Sequence, residues 1–198
     1  MTIEKGREWG SPAVVPPHLV HASGDAQVVE NAHVAVQPTG GNLWRSLGSP
    51  APRTPGDDCT VLPIDVMICT VSHPDGLSTV RAVADVVVGS WFSRAGFTVI
   101  TNVGVWGGAN IAPRAHPNDG EFDVFTLVPP VSVRQRVTGR RRAETGTHVP
   151  HPSMTVRRAT SLTIERSRSQ RLVIDGREFG RWSRVSVEIR ADFMTVIV

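Results

Sequence analysis

In this chain of 198 residues, the turn Pro117-Asn118-Asp119-Gly120 is the first place where chemistry could occur. Gly tolerates the left-handed backbone of a tight turn, and an Asp side chain can accept nearby backbone N–H groups. A carboxylate held there, with carbonyls beside it, also suits a hard cation such as Mg²⁺. Taken alone, such a turn is most often a plain hairpin. Other candidates are spread along the chain. Gly40-Gly41-Asn42 offers glycines that could approach a phosphate. Asp175-Gly176-Arg177-Glu178 places the carboxyls of Asp175 and Glu178 around a late turn. His148 and His151 are held extended by Pro150 and Pro152, which argues against a shared metal site. Arg140-Arg141-Arg142 is either a solvated loop or an anchor for anionic lipid head groups. Trp106 could be core or touch a lipid, whereas Trp44 and Trp91 read as core.

The net charge of +3 hides an asymmetry. Residues 1–130 carry 7 basic and 12 acidic side chains, and residues 131–198 carry 14 and 6. Nearly all the basic residues are Arg, whose planar donor fork matches phosphate, so the last third fits either an anionic partner or a solvated face. Hydrophobic residues make up 40%, enough to bury a core at this length. No apolar run approaches the roughly 18 residues of a membrane helix. No secretory signal is evident. Cys59 and Cys69 fit neither a disulfide framework nor a zinc site, so they read as small buried hydrophobes in a reducing, cytoplasmic setting.

The elements that must position these residues are mostly strands. Residues 1–17 read as an extended, poorly ordered lead-in, with Gly10, Pro12, Pro16 and Pro17. His18–Ala22 reads as a strand, Ser23-Gly24-Asp25 as the start of a short helix through Val29, and His33–Val36 as a returning strand. Leu43–Leu47 looks helical and is stopped by Gly48. Residues 49–58 form a proline-rich linker. Strands are expected at Val61–Val71, Thr79–Val88, Gly96–Val103, Phe122–Leu127, Ser153–Arg158, Ser161–Arg166, Arg171–Ile174, Arg184–Arg190 and Phe193–Val198. Alternation such as Val185-Ser-Val-Glu-Ile is the period of a half-buried sheet. Val131–Ala143 is either a short basic helix or an exposed hairpin. The expected fold is mainly β, an antiparallel β-sandwich with a short N-terminal α/β remnant. Residues 1–50 form the remnant and 59–198 the sandwich.

The segment from Phe97 to Val124 joins a strand, a glycine-rich loop and a turn that re-enters a strand. Its ordered Asn102, Gly107-Gly108, Ala112-Pro113, Ala115, Pro117, Asp119-Gly120 and Asp123 resemble the C-terminal domain of the diacylglycerol kinase-like lipid kinases. That family includes bacterial lipid kinases and sphingosine kinases. Gly146-Thr-His148-Val-Pro-His-Pro152, Val156-Arg-Arg-Ala159 and Val173-Ile174-Asp175-Gly176 continue the resemblance in order. Pro38-Thr39-Gly40-Gly41-Asn42-Leu43-Trp44-Arg45-Ser46-Leu47-Gly48 looks like a shortened Gly-Thr-x-Asn-Asp-Phe-Ala-Arg loop. The resemblance spans about residues 36–198.

What the resemblance implies is an ATP-dependent, Mg²⁺-assisted phosphorylation of a lipid hydroxyl. Mg²⁺ would be held by the Asp119 carboxylate and the backbone carbonyls of His116 and Glu121. Gly40, Gly41 and Asn42 would lie toward the nucleotide, and Asp175 and Glu178 near the catalytic base. Two departures stand out. No stretch of residues 1–60 reads as the family's phosphate-cradling Gly-Gly-Asp-Gly-Thr. Arg177 occupies the position of the proposed catalytic Glu, and an Arg cannot accept a proton at neutral pH. Glu178, one place on, would point to the opposite face of a strand unless a bulge turned it back. The alternatives to an enzyme are a non-catalytic module for anionic lipid or phosphate and a scaffold for a partner carrying the nucleotide site. The expected partners are a lipid head group or an anionic membrane surface at the inner face, and a second copy or a nucleotide-domain subunit, with no nucleic acid.

Overall fold

The computed structural model describes residues 8–93, 95–148, 151–165 and 170–198. Residues 1–7 of the expected lead-in, Pro150, and Arg166 at the end of one expected strand lie outside them. The chain opens with β1 (Ser11–Val14), β2 (Val20–Ala22), α1 (Asp25–Glu30), β3 (Val36–Pro38) and α2 (Gly41–Ser46). β2 and β3 pair in parallel around α1, a very short β-α-β unit. Strands then dominate: β4 (Asp58–His73), β5 (Gly76–Ala82), β6 (Asp85–Gly89), β7 (Phe97–Thr101) and the small hairpin β8 (Val105–Trp106) and β9 (Ala109–Asn110). After β10 (Phe122–Leu127) comes the helix α3 (Val133–Glu144), followed by β11 (Met154–Ala159), β12 (Ser161–Glu165), β13 (Leu172–Ile174), β14 (Arg177–Phe179) and β15 (Arg184–Ile197).

Two antiparallel sheets form the expected sandwich. One runs β1-β4-β15-β12 with β5 also on β4, and the other runs β11-β10-β7-β6-β13-β14. Alternating residues of both sheets meet between them: Met67, Cys69 and Val71 of β4 and Val185 and Val187 of β15 face Val86, Val88 and Ile100. The opposite face of β4 supplies Leu62, Ile64 and Val66, which bury Ala22, Val28, Val36 and Leu43 of the α/β unit together with Met194 and Val196. The first fifty residues therefore change the architecture but share a core with the sandwich. A third cluster lies under α3, where Trp91, Phe97, Phe125, Ala143 and Met154 pack together. Both cysteines are buried and free. Among the described residues, no helix is long and apolar enough to cross a membrane.

Four local expectations change. Ser11–Val14 is a strand on β4 rather than poorly ordered chain; it lies at the sheet edge, where Pro12 need not donate to a ladder. Thr79–Val88 divides into β5 and β6, which belong to different sheets. Arg184–Arg190 and Phe193–Val198 join into β15, with a register shift between Arg190 and Met194 and a left-handed Asp192 at φ 51°. Val131–Ala143 resolves to a helix because Ser132 and Gln135 form a reciprocal capping box.

Candidate functional site

The Asp119 turn is held from below by Asp65, a fully buried residue of β4. The Asp65 carboxylate accepts from the Gly120 amide at 2.7 Å, the Asp192 amide at 2.8 Å and the Asn118 side chain at 3.1 Å. Its own amide donates to the Pro117 carbonyl at 2.8 Å. Asn102, at the end of β7, donates to the carbonyls of Asp65 and Val83 at 2.9 and 3.2 Å and ties β4 to the entrance of β6. Three backbone or amide donors thus fix the turn before any ligand arrives. Burial still holds Asp65 above the usual carboxylate range.

At the surface of this turn the Arg158 guanidinium, from β11, pairs with Asp119 and with Glu121, the latter at 2.9 Å. The remaining Asp119 oxygen accepts from the Glu121 amide at 3.1 Å. Burial raises the Asp119 pKa, while Arg158 opposes that rise. The His116 ring turns away, accepting from the Asn118 amide at 3.2 Å and packing edge-on against Trp9 at 4.4 Å. Its ring is thus engaged by Asn118 and Trp9. Asp119 with neighbouring carbonyls is a hard-oxygen donor set, and the half-exposed Arg158 guanidinium is paired with its carboxylate. Mg²⁺ fits here on condition that Arg158 swings away. Among the described residues, no three metal-ligating side chains gather at one point. Beside the turn, Pro113, Arg114, Asp123, Val156, Arg157 and Arg158 line a groove of about 340 Å³. Buried Asp123 in its wall is pushed up to about 6 by desolvation.

The late turn places its carboxylate elsewhere. Asp175, left-handed at φ 45°, accepts from the amides of Val83, Ala84 and Asp85 at 2.8, 3.0 and 2.9 Å. This clamp is what splits the expected Thr79–Val88 strand. Desolvation, with Asp85 and Asp25 nearby, raises Asp175 well above the usual carboxylate value. Its carboxylate thus holds the backbone of three consecutive residues. Asp85, pushed up to about 7 by burial, accepts from the Asn42 side chain at 2.7 Å. Asp25 accepts from the amides of Asn42 at 2.7 Å and Leu43 at 2.9 Å.

Gly40, Gly41 and Asn42 form the turn into α2, and its leading amides are already occupied by Asp25. A Cβ at Gly41 would lie 2.4 Å from that carboxylate, and one at Gly40 would lie 2.3 Å from the Ser23 carbonyl, so both positions need glycine. The two loops, Ser23-Gly24 and Thr39-Gly40-Gly41, therefore pack face to face. Ser23-Gly24-Asp25-Ala26-Gln27 is the stretch the sequence reading passed over. It sits at a strand–helix junction and keeps the Gly-Asp of Gly-Gly-Asp-Gly-Thr while replacing the flanking glycines and threonine. Sequence alone marks Asp25 only as a helix start, and it does not mark Asp65 or Asp85, since each of these lies in an ordinary apolar context with no motif of its own.

Arg177 pairs with Glu30 of α1 at 2.5 Å. Glu178 is exposed and pairs with Arg171 at 3.3 Å, so Asp175 and Glu178 do not converge. The Gly107-Gly108 loop is docked by Arg140, which donates to the Gly107 carbonyl at 2.7 Å and lies 4.7 Å over Trp106. Trp106 itself stacks on Trp91 at 6.4 Å. His148 is buried against the Ile111 carbonyl, and His151 accepts from the Ser153 amide, which separates their roles.

The profile of the "YegS C-terminal NAD kinase beta sandwich-like domain" matches residues 78–198, more than half of the chain. β4 lies before that span yet runs through the sandwich. No curated protein sequence matches at significance. Among solved structures, a diacylglycerol kinase from Bacillus anthracis str. Sterne is similar over 90% of this chain and 74% of its own, at 14% identity and a TM-score of 0.52. A second protein from that strain, provisionally described as a diacylglycerol kinase, gives 13% identity, 90% and 75% coverage and a TM-score of 0.56. At such identities these two establish the fold. With the profile match and the sandwich in place, the chain belongs to the YegS C-terminal domain family, the β-sandwich of the diacylglycerol kinase-like proteins.

Proposed function

We propose that this chain is a member of the lipid-kinase family that binds anionic lipid or phosphate without itself transferring a phosphoryl group. The observation carrying this reading is that Asp25 fills the α2 amides where a nucleotide phosphate would need donors. The base position supports it, since Arg177 stands there bound to Glu30. The groove beside Asp119, with Arg114, Arg157 and Arg158, supplies the guanidinium groups that suit a phosphate-bearing head group at a membrane surface. Mg²⁺ at Asp119 and the carbonyls of His116 and Glu121 would neutralise phosphate charge once Arg158 is released.

A second reading is ATP-dependent phosphorylation of a lipid hydroxyl. It is favoured by Gly24-Asp25 facing Gly40-Gly41-Asn42 above Asp85 and Asp175. It requires a base from a second copy or a separate subunit, because Arg177 stands in that position, and nucleotide donors other than the Asn42 and Leu43 amides. Radiolabelled ATP with diacylglycerol, phosphatidylglycerol and sphingoid lipids, with and without Mg²⁺, separates the readings. The binding reading expects no label in lipid, together with salt-sensitive sedimentation on anionic vesicles that Arg157→Gln with Arg158→Gln weakens about tenfold or more. Magnesium-dependent label transfer by this chain alone would overturn it.

A further inference from the structure

At the other end of β11 from Asp119 lies a second basic cavity that neither reading uses. It holds about 230 Å³ and is walled by one face of α3 and by His148 and His151. Arg134, Thr138 and Arg142 recur every fourth residue of α3, so they line up along that face. His148 and His151 close the opposite side. Among the described residues no carboxylate lines the cavity, and neither Arg134 nor Arg142 forms an ion pair. Like-charged side chains therefore share a concave space with nothing to neutralise them.

The His148 side is closed by a buried ring. This residue is only 3% exposed. Its Nε2 lies 3.0 Å from the Ile111 carbonyl, which can only accept, so Nε2 carries the proton. Its Nδ1 is buried with no hydrogen-bond partner. With the proton on Nε2 this nitrogen is a bare acceptor shut off from solvent, so His148 walls the cavity with its ring and offers no donor to an occupant.

We propose that this cavity is a second anion site for a phosphate monoester, whether a soluble one or the phosphate of a lipid head group. Arg134 and Arg142 supply forked, charge-assisted donors, Thr138 a hydroxyl, and His151 a ring edge. The volume lies below the roughly 300 Å³ at which ordinary cofactor pockets begin, so it selects a phosphoryl group with a small alcohol over a nucleotide. Arg158 stands four residues along β11 from Met154, about 13 Å at strand rise, so this cavity and the Asp119 groove can be filled together. The site stands whether or not the groove binds lipid.

The test uses the full chain with two probes. Inorganic phosphate is titrated at constant ionic strength with chloride as the control, by calorimetry and by the imidazole resonances of His148 and His151. Vesicles of phosphatidylcholine, with and without phosphatidic acid, are sedimented in parallel. Saturable phosphate binding is expected, moving the His148 resonances and weakening about tenfold or more in Arg134→Gln with Arg142→Gln. These side chains are exposed, so the variant should keep the wild-type unfolding temperature, and Arg157→Gln should leave phosphate binding here unchanged. Loss of phosphatidic-acid sedimentation in the α3 variant would assign a head group, whereas loss of phosphate binding alone would assign a soluble ester. Absence of saturable binding in both arms, or a phosphate-dependent movement of the His148 and His151 resonances that the α3 variant retains, would overturn the proposal.

Discussion

Buried carboxyl groups set the character of the site one residue at a time. Asp25, Asp85 and Asp175 all have pKa values raised first by desolvation. For Asp85 the folded value of about 7 exceeds its ordinary value of 3.8. Below the ordinary value both states hold the proton. Between the two values the native state holds more protons than the unfolded one, so stability falls as pH rises. The contribution is fully present in acid and lost once pH passes the folded pKa. Asp85→Asn should therefore flatten the stability profile between about pH 4 and 7, by up to about 1.4 kcal/mol per pH unit. Urea melts of both proteins across that window check this, and parallel profiles would contradict it. At this scale the sequence was partly legible. Asp119 and Asn102 could be found because they sit in an ordered motif. Asp65 and Asp85 could not, because each acts on residues far away in the chain, Asp65 on Gly120 and Asp192.

The elements show the same division between local and distant causes. The strands β10, β11 and β12 match their expected positions closely, because their apolar periods and bounding turns are local. The break between β5 and β6 was not legible, because three amides there are claimed by Asp175 from 90 to 92 residues away. The α3 helix was left open between helix and hairpin although its signal was present in the sequence. Ser132 and Gln135 carry the capping spacing, and their side chains exchange bonds with each other's amides at 3.3 and 2.9 Å. Ser132→Ala should cost about 1 kcal/mol of stability, seen as a lowered denaturation midpoint with an unchanged slope. A variant with the wild-type midpoint would show that α3 is held by packing on Trp91 and Met154 alone.

Across the whole molecule, β4 joins what the linker at residues 49–58 divides in sequence. One face of this strand belongs to the core between the sheets and the other to the core beneath α1 and α2. The α/β unit and the sandwich should therefore unfold in one transition. Leu43→Ala, in the shared core, should lower stability by about 2–4 kcal/mol and move far- and near-ultraviolet transitions together. Two separated transitions would mean independent units. The fold class was legible because it rests on alternation, whereas the shared core was not, since composition marks a linker without saying what packs across it. The docking of the Gly107-Gly108 loop has an optical consequence. The chain has five Trp and no Tyr, so its near-ultraviolet absorption is dominated by indole. Trp91 and Trp106 lie 6.4 Å apart and within 17° of parallel. Indoles this close couple their electronic transitions wherever their transition dipoles are not parallel, so a circular-dichroism couplet is the expected outcome, checked by its loss in Trp106→Phe. Arg140→Ala, which removes the bond to the Gly107 carbonyl, should weaken that couplet, a readout that needs no added label.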